Sequence, residues 1–452
     1  MRTSITPHVL LTLAVFLATL GGVGSASDEQ PSVPEPPADS TESWETLDPQ
    51  IVIWTDGLWN LLPSIAFSTA HDEFLVGWTT EQDAFSRDIW ARRVDRDGGL
   101  LEVFNVSAIP GDILEGSTIE YCPAHDEYLV AYTNWYQVNG EDADVQARRV
   151  AWDGGWMSDV FTVTPGTDEH IHPSIAYSGL DDEYVVVYSN QWPGDELDLY
   201  AQRIRASDGA LLSWNAVESD AVWERFFSSV AYHPGAYGGA GGYLIAYQTW
   251  SATLGTSIRY KMTRSDLSDL FTNPELEVSN SGNFLSPPSV DAGVEGFLIA
   301  WREYTGAGYQ VMARRLDVNG NPLGNAAGFP VSAVSSQVTV EPDIIAVAYT
   351  HRQSFLVLWN HENTLPALND IHGVLVAEEW DGTIGDQIEL SEGAEYVYRP
   401  SAICSPMSDC LIVYQWWNTS TDDIAGRILH LRAVFSDGFE SGDFSAWSDT
   451  VP

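Results

Sequence analysis

The chain has 452 residues, 44% hydrophobic and 12% aromatic, so it is long enough to bury one large core or several smaller ones. Its 64 acidic residues outnumber 20 basic ones, and the net charge of -44 argues against binding nucleic acid or an anionic membrane through a basic surface. The acidity fits either a solvating surface in a salty habitat or attraction of cations and basic partners, and composition alone does not separate these.

The first segment, residues 1–26, has the pattern of a secretory signal. Arg2 provides a positive start, an apolar run follows from His8 to Leu20, and small residues close the segment. The apolar run is too short for a comfortable membrane span, and no later stretch is long and apolar enough to cross a bilayer. We therefore expect an exported, soluble protein, either secreted or at the cell surface.

Residues 27–46 are polar and rich in proline, which predicts a disordered spacer. Residues 47–433 then repeat one pattern seven times, about every 56 residues. The clearest copy contains Pro173 to Tyr177 (PSIAY), Asp182 to Tyr188 (DEYVVVY) and Asp198 to Ile204 (DLYAQRI). Such a period predicts supersecondary units stacked around one continuous core. One position of the first strand anchors each repeat: Ser64, Thr118, Ser174, Ser229, Ser289, Asp343 and Ser401.

Each repeat contains four short β-type segments, of which the second is the most apolar. Seven units of four antiparallel strands predict an all-β, seven-bladed β-propeller. The last repeat lacks a convincing fourth strand, whereas Ile51 to Thr55 has the fourth-strand pattern and no unit of its own. We therefore expect the N-terminal strand to complete the last blade and close the ring, which removes exposed sheet edges.

Residues 434–452 lie outside the repeat and include the segment Asp437 to Asp443 (DGFESGD). This segment resembles a C-terminal tail found on many exported bacterial proteins. The repeat itself (PSIAY, EYLVVY, DIxAxR and DG) resembles the propeller-type repeats of large exported bacterial proteins over about residues 50 to 430. The resemblance implies the fold and export, and it implies no single defined activity.

The three cysteines divide into a pair and a single residue. Cys404 and Cys410 flank a hairpin turn, and a disulfide between them is expected in an oxidising compartment. Cys122 is left over and is interpreted as a small buried apolar residue, since no histidine motif accompanies it to make a catalytic thiol.

Recurring polar residues have structural and functional interpretations. Asp-Gly pairs such as Asp95-Arg-Asp-Gly98 follow the third strands, and we interpret them as hairpin turns, with calcium loops as the alternative. Third strands also carry arginines such as Arg92-Arg93 near an aspartate such as Asp88. We expect these to form structural ion pairs or hydrogen bonds between strands or blades.

The histidines give one candidate metal pattern. His71 and His125 recur at turns and are interpreted as solvated turn residues. His170 and His172 form a His-x-His pattern, which would place two imidazoles on one strand face, as in some zinc or copper sites. No third ligand can be identified, so a polar loop is the favoured interpretation, and we assign no metal and no cofactor.

The most suggestive feature for binding is the set of loops between second and third strands. These loops combine aromatic residues with amides and acids, which suits sugar rings or cationic groups. The alternative is that the aromatic residues only pack between neighbouring loops. The loops before the first strands share this end of the units and add Trp59, among others. The candidate ligand-binding residues are Trp135, Tyr136, Trp192, Trp250, Tyr304, Trp416 and Trp417.

The sequence favours an exported binding or interaction module whose ligand is a glycan, a peptide or a basic partner. The alternatives are an extracellular polysaccharide hydrolase or lyase with acids near the central channel, and a surface scaffold. Paired catalytic carboxylates cannot be selected among 64 acids, and no serine-nucleophile, phosphate-loop or zinc-protease motif occurs. Catalytic residues are therefore unknown at this stage, and we expect a monomer.

Overall fold

Within the part of the chain that the structure describes, the regular structure consists of β-strands and one short helical turn, and the expected all-β class is confirmed. Strands recur in the order that the sequence repeat predicts, and the repeats are numbered 1 to 7 below. The computed structural model describes residues 46–83, 86–107, 113–136, 143–164, 166, 168–191, 197–218, 223–279, 285–325, 327–334, 345–363, 368–390, 396–418 and 420–431.

Repeats 1 to 3 belong to one continuous system of antiparallel strands. The third strand of one repeat meets the first strand of the next in a parallel bridge, at Arg87 with Ile113 and at Ala143 with Glu169. After β1 (Thr46–Leu47) and β2 (Ile51–Trp54), the strands of these repeats are β3 (Trp59–Ser68), β4 (Glu73–Asp83), β5 (Ser86–Asp95), β6 (Leu100–Asn105), β7 (Ile113–Cys122), β8 (Glu127–Trp135), β9 (Ala143–Ala151), β10 (Phe161–Thr162), β11 (Glu169–Ser178), β12 (Glu183–Gln191), β13 (Leu197–Arg205) and β14 (Leu211–Glu218).

Repeats 4 to 6 each form a separate four-stranded antiparallel sheet. Repeat 4 alone among these three has a helical turn between its first and second strands. The elements are β15 (Glu224–His233), α1 (Ala236–Gly239), β16 (Gly242–Ser251), β17 (Gly255–Arg264), β18 (Leu276–Ser279), β19 (Ser289–Ala292), β20 (Gly296–Tyr304), β21 (Tyr309–Asp317), β22 (Phe329–Pro330), β23 (Ile345–Tyr349), β24 (Ser354–Asn363), β25 (Leu368–Ala377) and β26 (Thr383–Glu389).

Repeat 7 combines strands from both ends of the described chain. Its own strands are β27 (Tyr396–Cys404), β28 (Asp409–Trp417) and β29 (Asp422–His430), and β2 pairs antiparallel with β29. The prediction that the N-terminal strand joins the last repeat is confirmed, with strand bounds of Ile51–Trp54. Of the predicted spacer only Thr46 is described, and it pairs with His430 in β1.

The cysteine predictions are confirmed. Cys404 and Cys410 form a disulfide across the turn between β27 and β28. Cys122 is a free, fully buried thiol at the end of β7.

The prediction that Asp343 anchors repeat 6 is wrong. Ala346 pairs with Leu358, just as Ser64 pairs with Gly77 in repeat 1, so Ala346 and not Asp343 is the equivalent position. The sequence misleads here because repeat 6 lacks the Ser-Ile-Ala-Tyr pattern and reads Ala-Val-Ala-Tyr instead.

A bulge shapes the first strand of several repeats. Two residues before the anchor the register shifts, and the residue there has a positive φ, for example 56° at His172 and 56° at Arg399. The backbone N–H of this residue donates to a second-strand side chain of the preceding repeat, as from His172 to Thr133 Oγ1 at 3.2 Å. The same bond joins Leu62 of repeat 1 to Gln415 of repeat 7 at 3.0 Å, so these two repeats meet like consecutive ones.

The hydrophobic cores lie between adjacent repeats. Second strands are buried on both faces, which is why they read as continuous apolar runs instead of alternating patterns. Trp78, with none of its surface exposed, packs with Ile53 of β2 and Val413 of β28, so the N-terminal strand is tied into the core that joins repeats 7 and 1. Burying each such large side chain contributes about 1.5–3 kcal/mol.

The recurring arginines of the third strands form hydrogen bonds between repeats, as expected, but the recurring aspartate is not their acceptor. Arg92 donates to the carbonyl oxygen of Ile53 at 2.8 Å, and Arg314 donates to that of Glu277 at 2.9 Å. Lys261, the only lysine, occupies the same position in repeat 4 and donates to Val217 O at 2.8 Å. These bonds do connect repeats, but the acceptor is a fourth-strand carbonyl of the preceding repeat and not the recurring aspartate.

The second arginine of each pair has an ionic partner that the sequence analysis missed. In repeats 1 and 2 it binds the glutamate that opens the second strand of the same repeat, as in Arg149 with Glu127 at 2.7 Å and Arg93 with Glu73 at 2.8 Å. Glu127 has no exposed surface, and Arg149 also donates to Ser207 O of the next repeat. The pair therefore holds two strands and two repeats together.

Candidate functional site

The two ends of the sheets differ in chemistry. The Asp-Gly turns lie at one end, here called the turn face, and the interpretation of hairpin turns is confirmed where they are described. Gly98 has a φ of 85°, and Asp95 Oδ1 accepts the N–H groups of Asp97 at 3.0 Å and Gly99 at 2.6 Å. The carboxylate is thus used to close its own turn.

The opposite end, here called the loop face, holds the candidate aromatic residues. Trp250 and Trp417 are exposed, with 40% and 37% of their surfaces accessible. Trp192 lies outside the described residues. The other candidates are partly buried: Trp135, Tyr136, Tyr304 and Trp416.

The candidates do not form one cluster. Trp416 packs against the core shared by repeats 6 and 7, so it supports the fold. The Tyr136 hydroxyl donates to Asp144 at 3.0 Å, and Tyr304 packs against Tyr309 with ring centroids 5.2 Å apart. These contacts are within single repeats, whereas the packing alternative expects contacts between neighbouring loops.

One pair of indoles does come together on the loop face. Trp59 and Trp417 meet edge to face with ring centroids 5.5 Å apart, although they come from repeats 1 and 7. Trp59 is 40% exposed. Trp417 is also the cross-strand partner of Tyr396, which contacts Tyr398 at 5.8 Å. We call Trp59, Trp417, Tyr396 and Tyr398 the seam cluster.

Polar groups surround the seam cluster. Asp56 accepts hydrogen bonds from Trp54 Nε1 at 3.1 Å and from Asn60 Nδ2 at 3.0 Å, which fixes the loop before Trp59. The Tyr398 hydroxyl donates to Asp422. Burial raises the pKa of Asp423, which accepts a hydrogen bond from Asn418. Of these polar groups, Asp56 is exposed and Asn418 is half-buried, whereas Asn60, Asp422 and Asp423 are buried.

Two acids in the first strands form a second candidate site. Glu120 of β7 and Asp291 of β19 occupy the position that is alanine or isoleucine in the other repeats. Burial raises the pKa of Glu120 to about 8, helped by repulsion from Asp291, and burial raises the pKa of Asp291 to about 6. Glu120 of repeat 2 is thus close enough to Asp291 of repeat 5 for the two charges to interact.

Each of these acids also has a structural partner. Asp291 accepts the N–H groups of Tyr349 and Ala292, both at 2.7 Å, so it caps the inner edge of the next repeat. Glu120 accepts the N–H of Tyr177 in the same way. Glu120 keeps some accessible surface, although protein surrounds most of its carboxyl group.

The sequence analysis missed both acids, although a signal was present. In repeat 2 the anchor segment reads Thr-Ile-Glu-Tyr, and in repeat 5 it reads Ser-Val-Asp-Ala, where repeat 3 has Ser-Ile-Ala-Tyr. An acid replacing alanine in an otherwise kept pattern marks an exception to the repeat. Such an exception selects individual acids as candidates for a site, which the total of 64 acids cannot do.

The His-x-His pattern does not form a metal site. His170 lies 3.3 Å from Asp144 Oδ1 and 3.2 Å from Asn190 Nδ2, whereas His172 packs on Phe227 at 4.4 Å between ring centroids. The left-handed backbone of His172 breaks the strand alternation that would have aligned the rings.

The turn histidines are structural and are not simply solvated, which corrects the sequence interpretation. His71 Nε2 contacts Asp126 at 2.8 Å and stacks on Trp152 at 3.7 Å, and His125 contacts Asp182 at 2.7 Å. Each histidine therefore links its repeat to the next one on the turn face.

No protein-family model matches this sequence, and no curated protein does. Among solved structures, a protein of unknown function from Dyadobacter fermentans is similar, with a TM-score of 0.50 at 11% identity over 85% of this chain and 98% of that one. The phage phi92 endosialidase has a TM-score of 0.49 at 7% identity over 85% of this chain and 69% of that one. An alpha-L-arabinanase from Penicillium chrysogenum has a TM-score of 0.48 at 11% identity, covering 85% and 99%. At these identities the likeness concerns the fold alone.

In the described ranges, no helix has the length and apolar composition needed to traverse a bilayer.

Proposed function

We propose that the seven repeats close into a seven-bladed β-propeller, exported from the cell, that binds a glycan through the seam cluster on its loop face. The ring closure is supported by the pairing of β2 with β29 and by the bond between Leu62 and Gln415. Export is supported by the signal pattern of residues 1–26 and suits the disulfide of Cys404 with Cys410. The domain would span residues 47–433, with residues 434–452 as a separate tail.

The observation that carries the binding proposal is the exposed pair of Trp59 and Trp417. Two adjacent indoles with 40% and 37% of their surfaces accessible offer flat apolar faces that stack on the C–H faces of sugars. The exposed Asp56 carboxylate and the half-buried Asn418 amide, which lie near these indoles in the sequence, can accept and donate hydrogen bonds to sugar hydroxyls. Because the chain carries a net charge of -44, we expect a neutral glycan and not an anionic one.

The test is a thermal-shift and calorimetric screen of the secreted chain against neutral polysaccharides of glucose, xylose, mannose and arabinose, with an anionic polysaccharide beside them. We expect one neutral glycan to raise the melting temperature by mass action, and Trp59→Ala or Trp417→Ala to weaken its binding at least about tenfold. Trp214→Ala is the matched control, since Trp214 is 60% exposed and also packs on an aromatic ring, Tyr200, but lies on a fourth strand. Equal loss of binding in all three variants, or no response to any neutral glycan, would contradict the proposal.

A second candidate function, polysaccharide hydrolysis, is favoured by one observation. Glu120 has a pKa raised to about 8, so its carboxyl is protonated at neutral pH, as a general acid must be, and Asp291 is its acidic neighbour. Release of reducing sugar from the glycan that binds would support this function. Glu120→Gln should then abolish release while binding persists, whereas binding without release leaves the protein a binding module.

A further inference from the structure

Repeat 6 departs from the repeat pattern at its third strand. Repeats 1 to 3 read Asp-x-x-Ala followed by two arginines or by glutamine and arginine, but β25 reads Asp370-Ile-His372-Gly-Val-Leu375. His372 stands where repeats 1, 2 and 3 have Trp90, Gln146 and Tyr200. The recurring aspartate is therefore kept, while its surroundings change.

The change brings three metal-ligating groups together. One ligand atom each from Asp370, His372 and Glu389 lies within 4.8 Å of the other two. Asp370 and His372 are two residues apart on β25 and so share a face of the sheet, and Glu389 of β26 is the cross-strand partner of His372. Asp370 is 1% exposed and His372 is 9% exposed, whereas Glu389 is exposed.

Neighbouring side chains fix the imidazole of His372. His361, the cross-strand partner of Asp370, stacks on it with ring centroids 4.2 Å apart and planes 19° apart. The amide of Gln387 contacts its Nδ1 at 2.5 Å. In the amide orientation that lets Gln387 Oε1 accept from the Nδ1–H of His372, Nε2 keeps its lone pair for a metal ion, as outer contacts do for histidines that bind metals.

The electrostatics suit a cation. The imidazole of His372 is a ligand type that transition-metal ions accept. Two carboxylates beside it supply negative charge in a partly buried position, and a divalent ion would neutralise both.

We propose that Asp370, His372 and Glu389 bind a divalent transition-metal ion, for which Zn²⁺ is the probe. One imidazole and two carboxylates are ligands that zinc accepts, and three protein ligands leave one coordination position open. Gln387 and His361 are positioning residues. This metal site lies in repeat 6 and does not depend on glycan binding at the seam cluster.

A second group of potential ligands serves as a comparison. Cys122, His125 and Asp182 also lie within 4.8 Å of one another. However, the bond between His125 and Asp182 recurs between His71 and Asp126 in the preceding junction, where Ser68 stands in place of Cys122. The contact is therefore explained by the linking of repeats, and the thiol is not needed for it.

The experiment is a titration of the chelator-treated, secreted chain with Zn²⁺ by calorimetry and with Co²⁺ by absorption. We expect one equivalent to bind, with cobalt d–d bands and without a thiolate-to-cobalt charge-transfer band. His372→Gln and Glu389→Gln should each weaken binding at least about 100-fold, and Gln387→Ala about tenfold. Cys122→Ser, which copies repeat 1, should bind as the unchanged protein does.

Two results would overturn the proposal. The first is Zn²⁺ affinity unchanged in both His372→Gln and Glu389→Gln. The second is a thiolate-to-cobalt band that disappears in Cys122→Ser, which would move the site to the other group. Because Glu389 is exposed, its variant should keep the melting temperature of the metal-free protein, so lost binding there cannot be attributed to unfolding.

Discussion

The third strands of repeats 2 and 6 occupy equivalent places and use their side chains in opposite ways. In β9, Arg148 donates to Val106 O of the preceding repeat, and Arg149 pairs with the buried Glu127. In β25 the corresponding residues are Val374 and Leu375, and the strand carries His372 instead. The side chains of β9 therefore bond neighbouring strands and repeats to each other, whereas those of β25 include potential metal ligands.

The difference teaches where to look in a repetitive protein. Positions that keep the pattern are occupied by contacts between strands and repeats, which leaves them little capacity for a ligand. Among the positions that depart from it, Glu120 and Asp291 have raised pKa values, and His372 belongs to a cluster of potential metal ligands. The junction of repeats 7 and 1 is a further exception to the repeat pattern, because Trp59 and Trp417 contact each other there.

The largest expected effect is a loss of stability at a position that keeps the repeat pattern. Arg149→Leu leaves the fully buried carboxylate of Glu127 without its cation, and we expect the free energy of unfolding to fall by about 3–5 kcal/mol. Denaturant unfolding with a constant m-value measures the change.

The matched control copies repeat 6 into repeat 2. In repeat 6, Ser354 and Leu375 occupy the positions that Glu127 and Arg149 have in repeat 2. The double variant Glu127→Ser with Arg149→Leu removes both charges together, so it should recover most of the lost stability. A double variant as unstable as Arg149→Leu alone would mean that the ion pair is not the cause.

The next effect concerns an exception to the pattern and depends on pH. The folded pKa of Glu120, about 8, lies above its ordinary value of 4.5, so its neutral form is the one that folding favours. That contribution is complete below pH 4.5 and is lost as the pH rises through 8. We expect the unfolding free energy to drop by roughly 2–4 kcal/mol between pH 5 and pH 9, and Glu120→Gln to remove most of this drop. The same drop in both proteins would contradict the assignment.

Much of the fold was readable from the sequence, because the period, the apolar second strands and the Asp-Gly turns are local signals. The pairing of β2 with β29 could also be inferred, since a missing strand and a surplus strand are both visible. The partners of the arginines could not be inferred, because a backbone carbonyl such as Ile53 O has no signature in the sequence.

The candidate site was less predictable for a geometric reason. The sequence predicts Trp417 as a ligand-binding residue, but it places Trp59 only in the loops before the first strands. Their contact depends on the two ends of the described chain meeting in space. The other candidates resemble Trp417 in the sequence, yet Trp416 points into the core. Neighbouring strand residues face opposite sides, and without the register the exposed one cannot be selected.

The smallest expected effect lies at the docked N-terminal strand. Burial would lower the pKa of His430, but hydrogen bonds to Asp409 and Asp48 outweigh it and raise the pKa. The contribution to stability is therefore present below pH 6.5 and is lost as the pH rises through the folded pKa. We expect His430→Gln to cost less than about 1 kcal/mol at pH 5.5 and nothing measurable at pH 9. An equal cost at both pH values would show that the charge does not matter.

The most direct measurement compares Trp417→Ala with Arg149→Leu in the same two assays: affinity for the glycan identified in the screen and free energy of unfolding. We expect Trp417→Ala to weaken glycan binding at least about tenfold with little change in stability. Arg149→Leu should lose about 3–5 kcal/mol of stability and, where it remains folded, keep its affinity. If both variants change both quantities in proportion, the regular and the exceptional positions have no separate roles, and the account is contradicted.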